Sequence, residues 1–282
     1  MNDCDRTRRE IDGSIAEFED SGDDIVASPM HFLCASRRTT SNPVQPNRTH
    51  HHPHFPRVIR DMSQNVTQKF NEPNSTRNRL KYFTMRTSAG ISLDPQTLLS
   101  AYAQGVFPMA DRDGVIRWFT ADPRGILPLE KFHIPHTLAQ VVKQDKFDVR
   151  FDHDFPATMR GCMTARPDET WINQKLIDAY IRLHQLGFAH SVECWHKDQL
   201  VGGLYGVSLG GAFFGESMFH TMTNASKVAL VHLVDRLRQR KFALLDTQAT
   251  TPHLKRFGCI EIPARDYERK LRQALALSCR FD

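Results

Sequence analysis

Apolar and polar positions along the chain follow a helical spacing first, then a mixed pattern, then a strand-rich one. Asp94 and Pro95 read as an N-cap and first-turn proline, Leu98, Leu99 and Tyr102 share one helical face, and Gly105 supplies a stop. Val106, Phe107 and Pro108, a turn at Asp113-Gly114 and the run Ile116 to Phe119 predict a short extended segment and a strand, closing near Asp122-Pro123. Pro135 opens a helix with Leu138, Val141 and Val142 on one side; Val149 and Phe151 alternate as a strand. Leu176, Ile177, Tyr180 and Leu183 predict a helix ended by Gly187. Then Ser191 to Trp195, Leu200 to Ser208 and Ala212 to Phe219 read as three antiparallel strands, with turns at Lys197-Asp198 and Gly210-Gly211. Asn224 or Ser226 caps a long helix carrying Val228, Val231, Val234 and Leu237 inward. Phe242 to Gln248 returns as a strand, and Pro252 and Pro263 start two final helices.

Composition separates this region from what precedes it. Residues 1–90 carry 13 Lys and Arg against 11 Asp and Glu, split as 3 against 9 in the first thirty positions and 10 against 2 in the next sixty. That charge-blocked stretch has a Ser/Thr/Asn/Pro-rich middle and lacks the apolar surface to offset chain entropy, so it is expected to be disordered. A mis-set start, with Met62 or Met85 as the true one, would explain it equally well. The expected division is 1–90 as that extension, 91–122 as a small N-terminal domain, and 123–282 as the main domain. Mean hydropathy is −0.46 and no apolar run approaches the roughly 20 residues that cross a bilayer, so no membrane association is expected. The acidic start lacks a signal peptide's apolar core, and the expected location is cytoplasmic. Six scattered cysteines without a C-x-x-C pair argue against a disulfide framework or a structural zinc site.

A meander, a long helix and then a strand able to pair parallel to the last meander strand define an α+β layout of GNAT-like (acyl-CoA N-acyltransferase-like) type, preceded by a small α/β N-terminal domain. Users of acetyl-CoA need a glycine-rich junction before the long helix to hold pyrophosphate. The segment Gly215 to Asn224 has one glycine, Glu216 and two methionines, which disfavours CoA.

The motifs Thr170-Trp171-Ile172, Leu183 to Ser191, Gly202 to Val207, Gly215-Glu216-Ser217-Met218-Phe219, Asn224-Ala225-Ser226-Lys227 and Asp246-Thr247-Gln248 resemble the bacterial leucyl/phenylalanyl-tRNA protein transferase family. Gln104 to Pro108 and Asp122-Pro123-Arg124 extend the likeness upstream, so that it runs from about Leu93 to Tyr267. The resemblance implies transfer of Leu or Phe from Leu-tRNA or Phe-tRNA to proteins beginning with Arg or Lys, marking them for degradation, with no metal or other cofactor and as a monomer. Aminolysis of an ester needs a neutral amine, a positioned carbonyl and a stabilised oxyanion, and no nucleophilic side chain. Asp246 and Gln248, two apart on a strand, are expected on one face, where Gln248 accepts from the incoming ammonium and Asp246 orients the amide. Glu216, a carboxylate among apolar residues, is either paired inside the protein or aimed at a cationic ligand, and is assigned with them to the catalytic set.

By the same resemblance, Met218, Phe213, Leu204 and Leu237 form an apolar pocket, Tyr102 and Phe107 contribute to substrate binding, and Trp171 stacks on the terminal adenine. The family's aromatic after Phe107-Pro108 is here Met109. Its basic helix is here weakly charged, with His136, Gln140, Lys143 and Gln144, so that Lys131, Lys143 and Lys146 are the candidates for tRNA phosphates. Two alternatives remain: a cell-wall type of aminoacyl-tRNA-dependent peptidyltransferase, and a non-catalytic RNA-binding module.

Overall fold

A computed structural model describes residues 70–71, 80–83, 92–111, 113–165 and 170–282. Most of the expected extension, residues 1–90, lies outside the described residues, as do Met62 and Met85. In chain order the elements are strands β1 (Phe70–Asn71) and β2 (Leu80–Phe83), helix α1 (Pro95–Tyr102), strands β3 (Phe107–Ala110), β4 (Ile116–Ala121) and β5 (Arg124–Ile126), then helix α2 (His136–Lys143) and β6 (Asp148–Phe151). They continue with α3 (Phe155–Thr164), α4 (Gln174–Gln185), β7 (Ala189–His196), β8 (Gln199–Leu209), β9 (Ala212–His220), α5 (Ala225–Gln239), β10 (Leu244–Gln248), α6 (Pro252–Lys255), β11 (Ile260–Ile262) and α7 (Ala264–Leu275).

Local chemistry explains several boundaries. Asp94 accepts from the Thr97 N–H at the start of α1, and Pro95 follows it, as the cap pattern predicts. Lys197 and Asp198 both take positive φ, 50° and 58°, the geometry of a tight hairpin turn between β7 and β8. The α5 cap differs from expectation: Asn224 is left-handed and makes no side-chain cap bond, while Ser226 Oγ lies 3.1 Å from His220 Nδ1. Sequence periodicity also missed α3, β5 and β11. The two strands are only three residues long, and α3 begins at Asp154, whose side chain accepts from Ala157 N–H. The expectation of disorder over 1–90 does not hold for β1 and β2, which pair with each other and, through β2, with β4 in a small sheet, so that the N-terminal domain reaches upstream of residue 91.

Four strands form a small sheet in the order β1-β2-β4-β3, and seven form the main sheet in the order β11-β5-β10-β9-β8-β7-β6. All pairs in the main sheet are antiparallel except β10 with β9, which is parallel. This is the meander, helix and parallel return strand of the GNAT-like expectation. Helix α3 lies against one face and α5 against the other: a Cβ at Gly203 would meet Thr158 of α3, and one at Gly202 would meet Ala225 of α5. Two cores result. One joins α1, β3, β4, α3 and α4 to the sheet through Tyr102, Trp118, Tyr180, Tyr205 and Phe214; the other packs α5 on Leu204, Phe213, Met218 and Leu245.

Two features of the strands shape the site. β9 and β10 pair only as far as Phe214 and Asp246, although β9 continues to His220 and β10 to Gln248, so the two strands part at that end. Each also carries an irregularity there. Glu216 is the extra residue between the Gly215–Gly206 and Ser217–Tyr205 pairs, and Thr247 is the extra residue between Asp246–Ile126 and Gln248–Gly125. β5 approaches the segment after Gln248 so closely that a Cβ at Gly125 would lie 2.6 Å from the Ala249 carbonyl carbon. Backbone cannot yield as a flexible side chain can. Gly125→Ala is therefore expected to destabilise the protein by about 1–3 kcal/mol, read as a lower urea midpoint with an unchanged slope.

Candidate active site

The site is built around a buried cation. Arg124, at the start of β5 and 1% exposed, forms an ion pair with Asp246, which is fully buried. Its Nη2 donates to Asp246 Oδ2 at 2.7 Å, and its Nε donates to both carboxylate oxygens at 3.0 and 3.2 Å. Nη1 donates to the Gly105 carbonyl at 2.7 Å, and the guanidinium lies over the Phe107 and Tyr267 rings at 5.0 and 4.5 Å from their centroids. Burial works against the charge on Arg124, and Asp246 more than offsets it, leaving its pKa above the ordinary arginine value. Two further donors reach Asp246: Tyr267 Oη to Oδ2 at 2.6 Å, and the main-chain N–H of Gln248 to Oδ1 at 2.8 Å.

Asp246 thus holds the backbone of Gln248 rather than its side-chain amide, contrary to the expected geometry. Gln248 has φ of 55°, a left-handed conformation unusual for a residue with a side chain. Its amide turns to Glu216 instead, with Nε2 donating to Oε1 at 3.2 Å. The other oxygen, Glu216 Oε2, accepts from Tyr180 Oη at 3.2 Å, and Tyr180 in turn shares a short hydrogen bond with Tyr102. Glu216 is therefore held by neutral donors. Burial pushes its pKa up to about 8, with the tyrosine hydrogen bonds pulling the other way. Tyr102, Tyr180, Tyr205 and Tyr267 are each raised well above the ordinary phenol value, chiefly by burial, and so stay protonated. Gln248 Oε1 and Tyr205 Oη are buried with no hydrogen-bond partner among the described residues.

The other expected site residues divide. Tyr102 and Phe107 are buried on the side of this polar group, Phe107 beneath Arg124. Trp171 is half-buried against the same core, and its carbonyl accepts from Ala110 N–H, so it is not a free loop tryptophan. Met218, Phe213, Leu204 and Leu237 lie in the α5-side core, across the sheet from Tyr180 and Tyr102. Phe213 is covered by Phe281, stacked at 5.4 Å, and it blocks the space above Gly206. The structure thus brings the three polar residues together and leaves the four apolar ones packed as core, reachable from the polar group only where β9 and β10 part. Lys131, Lys143 and Lys146 are exposed. Sequence reasoning assigned no role to Arg124, Tyr180 or Tyr267. Arg124 stood in a quoted motif, but its partners are distant in the chain and nothing local signalled them.

A GNAT-like sheet whose central strands part around a buried acid–amide group is an architecture suited to acyl-group transfer. Comparison with known proteins supplies the particular family. The model of the leucyl/phenylalanyl-tRNA protein transferase family matches residues 126–272, and the model of its N-terminal domain matches residues 92–122. The leucyl/phenylalanyl-tRNA protein transferase of Akkermansia muciniphila is 53% identical over 186 residues, 65% of this chain and 96% of that one. Those of Phenylobacterium zucineum, at 54% over 67% of this chain and 87% of theirs, and Gloeobacter violaceus, at 51% over 68% and 98%, are comparably similar. The chain belongs to this family. Among solved structures, that of L-PGS from Bacillus licheniformis matches 73% of this chain and 80% of its own with a TM-score of 0.37 and 10% identity, too loose a likeness to bear on function. Neither of the alternatives, the cell-wall type of peptidyltransferase or the RNA-binding module, is favoured by these matches.

Two outcomes test the electrostatics. Asp246→Ala leaves Arg124 buried and unpaired and is expected to cost about 3–5 kcal/mol in chemical denaturation, with part of the loss recovered in Arg124→Met/Asp246→Ala. Glu216 has an ordinary pKa of 4.5 and a folded value near 8, so the native state keeps a proton that the unfolded chain releases. Its contribution is present below about pH 4.5 and is lost as pH rises toward 8. Glu216→Gln is expected to flatten the pH dependence of the melting temperature across that window.

Proposed function

We propose that the protein moves leucine or phenylalanine from its tRNA ester onto the α-amino group of proteins beginning with Arg or Lys, acting as a monomer in the cytoplasm. The observation that carries this is Gln248 Oε1: a buried carbonyl oxygen, free of partners, held on a left-handed backbone at the mouth between diverging strands. It is an acceptor waiting for a donor, and an ammonium or amine N–H is one. Family membership supports the aminoacyl-tRNA and protein substrates, and the Arg or Lys preference goes beyond it.

In this reading the ester carbonyl lies beside Gln248, and the amino acid's side chain enters between β9 and β10. There it meets Met218, at 7% exposure the least buried of the four apolar candidates, with Leu204, Phe213 and Leu237 behind it. Met suits that position because its flexible thioether fits leucine or phenylalanine alike. The adenine rests against Trp171, with Tyr102 and Phe107 forming the inner wall. Lys131, Lys143 and Lys146 meet phosphates of the acceptor stem. The division into a small N-terminal domain, 91–122 with β1 and β2 added to its sheet, and a transferase domain, 123–282, gives the cleft one wall from each.

Incubation with radiolabelled Phe-tRNA or Leu-tRNA and a series of peptides that differ in their first residue tests the proposal. Label is expected on peptides beginning with Arg or Lys, and at least about tenfold less on those beginning with Ala or Glu. Absence of amide product on Arg and Lys peptides would overturn the reading.

A further inference from the structure

The two carboxylates of the site, Asp246 and Glu216, have different surroundings. Asp246 has its lone pairs committed. Oδ1 accepts from Arg124 Nε and the Gln248 N–H; Oδ2 accepts from Arg124 Nε and Nη2 and from Tyr267 Oη. A carboxylate offers about four acceptor positions, and five contacts fill them. Glu216 accepts from Gln248 on Oε1 and from Tyr180 on Oε2, at 3.2 Å each, with Tyr102 a third neutral donor beside it, and so keeps at least one acceptor position free. It is also the carboxylate that touches the Gln248 side-chain amide, whose other end is the unpartnered Oε1.

We infer that Glu216 takes the proton from the acceptor's α-ammonium, and that Asp246, locked to Arg124, is a positioning residue that fixes Gln248's backbone and carries no proton. This rests on the transfer reaction proposed above. Gln248 Oε1 receives one N–H of the ammonium and Glu216 receives the proton of another. The freed nitrogen lone pair attacks the ester carbonyl carbon. As the amide C–N bond forms, the bond from carbon to the ribose oxygen breaks, and that oxygen leaves with the second proton lost by nitrogen. The proton left on Glu216 passes to solvent when product departs.

The chemistry suits the group's environment. An α-amino group ordinarily titrates near 7.7–8.0, and a base serves best when its own pKa lies close to that of the proton donor and to the working pH. Burial brings Glu216 into that range, at about 8. The groups around it are Tyr102 of α1, Tyr180 of α4, Tyr205 of β8, Arg124 of β5 and Asp246 of β10, with Tyr267 of α7 behind Asp246. The phenols stay neutral, and the charges of Arg124 and Asp246 oppose each other. Tyr180 acts through Glu216, by donating to the charged form of its carboxylate and so lowering its pKa.

The test compares two nucleophiles at saturating Phe-tRNA: an Arg-initiated peptide, which must lose a proton before it attacks, and hydroxylamine, which is uncharged at neutral pH. Glu216→Gln is expected to lower kcat with the peptide by about a hundredfold or more, the usual contribution of a general base, and with hydroxylamine by less than about tenfold. Asp246→Asn is expected to lower both alike and, by removing a neighbouring negative charge that raises Glu216 while leaving Arg124 in place, to move the pH midpoint of kcat with the peptide to lower pH. Equal losses for Glu216→Gln with both nucleophiles would overturn the inference. Tyr180→Phe supplies a second measure in a milder variant: the midpoint of kcat with the peptide should move to higher pH, and an unmoved midpoint would likewise sink the idea. Failure of the underlying reaction looks different, because the unaltered protein would then make no peptide product.

Discussion

The buried pair between Arg124 and Asp246 is the interaction on which the rest of the site depends. A guanidinium and a carboxylate removed from water lose hydration worth several kcal/mol each, and the attraction between them restores it only if every remaining donor and acceptor is met. Here they are met, by the Gly105 carbonyl, Tyr267 Oη and the Gln248 N–H. Those partners come from the turn after α1, from α7 and from β10. The charge pair therefore ties four stretches of chain, the turn after α1, β5, β10 and α7, to one point, and it adds geometry more than stability. Replacement by apolar residues could leave the fold intact, but nothing apolar would hold Gln248 in its left-handed conformation.

That conformation is where the protein departs from its own regularity. Bulges at Glu216 and Thr247, a positive φ at Gln248 and an unpartnered Oε1 all fall within a few residues of the place where β9 and β10 part. Each is unfavourable taken alone, at up to about 1–3 kcal/mol for backbone strain and for an unmet polar group. Their coincidence is what the proposed transfer site asks of this segment, a polar group held ready at some cost to the fold. The α5-side core shows the contrast: Leu204, Phe213 and Leu237 are fully buried there, and Phe213 is stacked by Phe281. Only their neighbour Met218, next to the gap, combines burial with adaptability.

How much of this was legible in the chain follows from the range of each signal. Caps, turns and periodicity act over a few residues, and they located α1 from Asp94-Pro95, the β7–β8 hairpin from Lys197-Asp198, and the parallel return of β10 from the order of elements. The chemistry of Asp246, Gln248 and Glu216 was also readable, because acids and amides inside apolar strands stand out. Their division of labour was not. Spacing placed Asp246 and Gln248 on a common face, but the bulge at Thr247 turned the amide toward Glu216. Arg124 is 122 positions from Asp246, and Tyr180 is 36 from Glu216, distances that no local pattern spans. Short strands such as β5 are hidden for the same reason, since three residues have no period to detect.

Enclosure finally explains why so polar a site is kept so dry. An aminoacyl ester can be attacked by water as well as by an amine, and water is far more abundant. Asp246 and Gln248 are fully buried and Glu216 is 1% exposed, so an ester carbonyl bound among them as proposed would be screened from bulk solvent. Low polarity also keeps four tyrosines protonated and pushes Glu216 toward the pKa of an amine. The same burial that excludes the competing nucleophile therefore prepares a base for the intended one. A more open pocket would lose both properties together, since hydration would return Glu216 toward an ordinary carboxylate as it admitted water to the ester.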